Sequence, residues 1–151
     1  MWTNRGKYLV LQAYFRQTGL PANFYIALVT NATSPTADTN TLSQLTEITS
    51  GNGYSSGGYQ LTPGSTDFDV LTENDTDDLA LIQVKDISWT AAGGQIPPTG
   101  NFARWAVLTD NNATIGSRQI IAYWNLVSDR GVVNTQTLTL RNLELDLGEC
   151  P

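Results

Sequence analysis

Histidine is absent from this chain of 151 residues, and cysteine occurs once, at Cys150. Without histidine there is no Ser-His or Cys-His nucleophile pair, no imidazole base and none of the usual zinc sites. One cysteine closes no internal disulfide, so no disulfide framework holds the fold. Charge is scarce as well: 15% of the residues are charged, against about 25% in an average soluble domain. The eight Lys and Arg are scattered singly among fourteen Asp and Glu, for a formal net charge of −6. The clustered basic patch that a phosphate backbone requires is missing, which argues against nucleic acid as a partner. No apolar run approaches the roughly 18 residues that span a bilayer. Arg5 and Lys7 are not followed by an apolar segment with a cleavage site. A soluble protein without a signal peptide or membrane partner is expected.

What is present is a polar, weakly charged surface vocabulary of Thr, Asn, Gly and Ser around a 40% hydrophobic content. This length suits one domain over 1–151, with about 68–70% of the unfolded chain's surface buried on folding. From Thr3 to Thr18, "TNRGKYLVLQAYFRQT" places Tyr8, Leu9, Leu11, Tyr14 and Phe15 near helical spacing. Thr3 or Asn4 is the expected N-cap, and Gly19 before Leu20-Pro21 the stop. Gly6 weakens the first turn.

The rest, about 22–147, reads as strands. Asn23–Thr30 is a near-continuous apolar run and predicts a strand covered on both faces. Leu42–Ile48 suits a short helix or turn. Tyr59–Leu61 predicts a strand with Phe68–Leu71 as a possible partner, and "TENDTDD" an acidic connection. Leu79–Trp89 predicts one or two strands, Phe102–Leu108 another, and Gln119–Leu126 another, turned by "VSDRG". The final segment, Thr135–Leu147, has period two with a register break at Asn142, which predicts a bulge or bend. Short strands joined by Gly, Pro, Asn and Asp turns predict a mainly β fold, an antiparallel β-sandwich or barrel-like domain with one N-terminal amphipathic helix.

The stretch "SGNGYSSGGYQL" carries four glycines, but its spacing departs from the dinucleotide-binding pattern and strand, not helix, follows it. A loop using glycine at positive φ to enter a strand fits better. Among the acids, Asp75, Asp77 and Asp78 are a remote calcium candidate that lacks EF-hand spacing. No carboxylate pair stands out for glycoside hydrolysis. Trp105 and Trp124 are expected in the core, and Trp2 at another chain. No catalytic, cofactor or metal residues are assigned, and no cofactor is expected.

Together, "TNRGKYLVLQAYF", "NFYIALVT", "LTEITSGNGYSSGGYQL", "ISWTAAGG", "ARWAVLTD", "RQIIAYWNL" and "TLTLRNLELDLG" resemble a family of small tailed-bacteriophage virion proteins, of the capsid decoration (cement) or tail-fibre-like kind. Glu47–Tyr54 is similar to the family's junction element, to which this chain adds "SSGGY". The resemblance implies a structural protein of the virion, on the capsid exterior, with no enzymatic activity. Its expected partners are the major capsid protein and further copies of itself, as a homotrimer. The candidate interface residues are Trp2, Tyr8, Tyr14, Tyr54 and Tyr59. The alternatives are a tail or tail-fibre-associated subunit and a carbohydrate-binding β-sandwich module.

Overall fold

The computed structural model describes residues 1–148; Cys150 lies outside them. Helix α1 (Asn4–Arg16) leads into strands β1 (Phe24–Val29), β2 (Tyr59–Leu61), β3 (Val70–Asn74), β4 (Leu79–Val84) and β5 (Ile87–Thr90). Then come β6 (Ala103–Thr109), β7 (Ile120–Arg130), β8 (Thr137–Leu140) and β9 (Leu143–Gly148), with short 3-10 turns at 42–44 and 115–117. The strands form three antiparallel sheets, in the orders β2-β1-β6-β7, β3-β4-β9 and β5-β8. The fold is mainly β with one N-terminal helix, as the strand-and-turn pattern predicts.

The central four-stranded sheet is covered on both faces, which is why β1 tolerates an unbroken apolar run. Ile26 and Leu28 point to the main core, among Val84, Ile87, Trp89 and Leu140 of the two smaller sheets. Ala27 and Val29 point the other way and meet Leu42 and Leu45 of the first 3-10 turn. The edge of β7 is occupied as well. Trp2 bridges Ala122, the Tyr123 N–H donates to the Met1 carbonyl at 2.9 Å, and the Thr3 N–H donates to the Ile121 carbonyl at 3.0 Å. An edge strand met in this way exposes fewer unpaired backbone groups to other chains.

Several expectations are corrected by the pairing. Strand β3 pairs with β4 rather than β2, so "TENDTDD" is mostly strand and hairpin tip instead of a plain connection. Strand β7 runs through Val127 and Asp129 to Arg130, where a turn was expected. Its polar outer half meets β6 again only at its end, where Arg130 stands opposite Ala103 after a register shift beyond Asn125. The break at Asn142, whose φ is 54°, divides two strands of different sheets instead of bulging one. Trp89 is the buried tryptophan, whereas Trp105 and Trp124 are only half-buried.

The connection from β2 to β3 is tied to the end of β4 by one ion pair. Asp67 accepts from the Thr62 N–H at 2.7 Å and meets the Lys85 ammonium. The Lys85 hydrogen bond, together with the Thr62 N–H, holds the Asp67 carboxyl below its ordinary 3.8. A depressed folded-state pKa means stability present above the unfolded value and lost as pH falls through the folded one. Acid titration of the unfolding midpoint should therefore show a decline below about pH 4, and Asp67→Asn should flatten it. An unchanged acid limb in the variant would show that the pair contributes nothing.

Candidate interaction surface

Helix α1 begins where it does because the buried Thr3 caps it: the Gly6 N–H donates to Thr3 Oγ1 at 2.8 Å, and the same hydroxyl donates to the Ile120 carbonyl. The cap thus anchors the helix to β7 and sets which of its faces looks inward. Gly6 is the point of closest approach. A Cβ built on it would stand within about 2.0 Å of the Ile121 carbonyl oxygen. The glycine that weakens the helix as an isolated segment is the one that lets it lie against the sheet.

The inward face carries Leu9, Val10 and Ala13, all half-buried. The outward face carries Tyr8, Leu11, Tyr14 and Phe15, which are 49%, 57%, 77% and 74% exposed. Positions 8, 11 and 15 follow the i, i+3, i+7 spacing of one stripe, with Tyr14 beside them. Tyr14 and Phe15 stack edge to face at 5.0 Å, and the Arg5 guanidinium lies 4.9 Å from the Tyr8 ring centre. The helical period is therefore as expected, but most of the residues that reveal it face away from the body. Leu11 and Phe15 escape a residue-by-residue reading of aromatics. The signal for them is that apolar residues run nearly round the helix, more than one core-facing stripe requires.

Beneath the helix lies an apolar groove of about 840 Å³. Leu9 and Ala13 form one wall, and Phe68, Leu71 and Ile82 the other. Phe24 and Phe68 pack edge to face at 5.4 Å within it. Leu71 is 75% exposed although it sits on a strand.

The remaining predicted interface residues separate into different settings. Trp2 lines the groove and donates its indole N–H to the Asp146 carbonyl at 2.9 Å, so it binds its own chain. Tyr59 is half-buried, edge-on to Trp89, with Lys85 5.5 Å from its ring centre. Tyr54 is 2% exposed, a core residue and no surface anchor. Its hydroxyl accepts from the Leu28 N–H at 2.9 Å and donates to Glu47 Oε1 at 2.7 Å. The same carboxylate accepts from the Gly57 N–H at 2.6 Å, and Arg118 donates to the Gly57 carbonyl at 3.0 Å while lying 3.7 Å over the Tyr25 ring.

The glycine stretch is thus a packed clamp. Gly51 and Tyr54 exchange backbone hydrogen bonds of 2.8 and 3.1 Å around Asn52 and Gly53, both at positive φ. Gly58, also at positive φ, approaches the Ile26 carbonyl so closely that no Cβ fits.

The acids of the β3-β4 tip stand in solvent, Asp77 accepting from the Asn74 side chain at 2.8 Å. Among the described residues no group of three or more His, Cys, Asp or Glu is placed to hold a metal, and no helix is long and apolar enough to cross a membrane. No protein-family model matches the sequence, and no curated protein or solved structure matches it.

Proposed function

We propose that this chain is a non-enzymatic structural protein of a bacteriophage virion, a capsid decoration protein that binds and stabilises the major capsid protein lattice as a homo-oligomer. The observation that carries the reading is the uncovered aromatic stripe of α1, held on a β body whose own core is complete without it. A contiguous apolar surface of this kind marks an interaction site, and Tyr-rich anchors are what such interfaces use. The sequence resemblance to small virion proteins supplies the class of partner. A body fastened by buried clamps and a low-charge polar surface suits attachment in many repeated copies, and closed symmetry is the rule for assemblies of identical chains.

The test is reconstitution on particles assembled without this chain. Purified protein is expected to bind them to saturation at a fixed ratio to the major capsid protein and to raise their rupture temperature. Failure to bind, or binding only at a few sites per particle, would overturn the capsid assignment.

A further inference from the structure

We infer that the outward stripe of α1 docks on a second copy of this chain, into the groove beside that copy's own α1 and along the exposed outer end of its β3-β4-β9 face. The inner end of that face, at Val84, Leu143 and Leu145, packs in the core. The inference rests on the self-associating part of the proposed function and names the two surfaces that meet.

The receiving face is set by strand register. Leu71, Ile82 and Leu145 stand in one row across the sheet, and Glu73, Ala80 and Leu147 in the next. Residues directly opposite in antiparallel strands share a face. The first row lines the groove, and the second continues it outward to the acidic tip. Leu71 and Leu147 are exposed on this face, and none of the described residues covers them.

Charge selects the occupant. Helix α1 carries Arg5, Lys7 and Arg16 and no acidic residue, in a chain whose net charge is −6. From Asp69 to Asp78 there are five acids, Asp69, Glu73, Asp75, Asp77 and Asp78, and no cation. The basic aromatic helix and the acidic apolar sheet face complement each other in sign and in polarity, which steers encounter and fixes orientation. Lys7 falls on the same side of the helix as Leu11 and Tyr14, four and seven residues on. Size agrees: Tyr14 and Phe15 at about 150–250 Å² each, with Tyr8 and Leu11, supply much of the ~800 Å² that each partner gives to a standard interface.

The experiment is the mass of the full chain by light scattering and sedimentation across the micromolar range. Concentration-dependent self-association is expected for the wild type. Tyr14→Ser with Phe15→Ser should weaken it at least tenfold without altering the thermal melt, because both rings lie outside the core. Lys7→Glu should weaken it, as should Glu73→Lys with Asp78→Lys, and a chain carrying all three reversals should regain it. A monomer at every concentration overturns the inference, as does association that ignores the Tyr14 and Phe15 changes, or reversals that fail to compensate. None of these results decides whether the chain belongs to a virion, which binding to particles tests separately.

Discussion

Gly6→Ala is expected to destabilise the protein by about 2–3 kcal/mol, although the same change in an exposed helix interior stabilises by about 1 kcal/mol. The opposing effect is steric. The nearest neighbour of the added methyl is the Ile121 backbone carbonyl, which no side-chain rotation can remove. The helix must lift from β7, weakening the Thr3 cap and the Thr3–Ile121 hydrogen bond that seat it. For a domain of this size the expected fall in Tm is about 5–10 °C. Thermal and denaturant unfolding of the variant check this directly. A melt equal to or above that of the wild type would mean that α1 is not held by this close approach. Lifting the helix would also displace the aromatic stripe, so self-association should weaken together with stability.

Tyr54→Phe is expected to cost about 2–3 kcal/mol, since it leaves the buried Leu28 N–H without an acceptor and removes a hydrogen bond to a carboxylate. Tyr14→Phe, which alters the same atom on an exposed ring, should leave stability unchanged. The phenol also gives a signature in pH. Burial, reinforced by the neighbouring Glu47 carboxylate, raises the Tyr54 pKa well above its ordinary 10.0. A raised folded-state value favours the neutral phenol in the native protein. Its stability contribution is full below the unfolded value and is lost as pH rises through the folded one. Between the two values each pH unit costs about 1.4 kcal/mol. Unfolding free energy should therefore fall as pH rises above about 10, and the slope should be shallower in Tyr54→Phe. Identical alkaline slopes in the two proteins would show that the clamp does not hold a neutral phenol.

The parts of this fold legible in the sequence are those fixed by local pattern. The helix start follows from Thr3, whereas its end falls short of the expected stop at Gly19: the last helical residue is Arg16 and Gln17 takes the left-handed cap. The two-sided burial of β1 follows from its unbroken apolar run. What escaped depends on contacts distant in sequence. Gly6 reads as a weak point until Ile121 lies beside it. Trp89 and Trp105 both sit in mixed-polarity strands, and only strand pairing decides which is buried. The far half of β7 is too polar to announce a strand, because its composition does not advertise the partner that it meets again at Ala103. Tyr54 had the right chemistry for an interface but is buried, and Tyr59, the first residue of β2, is half-buried against Trp89, since aromatic identity carries no direction by itself. Tyr8 and Tyr14 do face outward, and Leu11 and Phe15 complete their stripe.

The number of copies of this chain per purified phage particle, relative to the major capsid protein, tests the proposed virion role most directly. Quantitative mass spectrometry of particles measures it. A decoration protein predicts hundreds of copies in a constant ratio to the capsid subunit. A chain absent from particles, or present at only a few copies, would contradict that account.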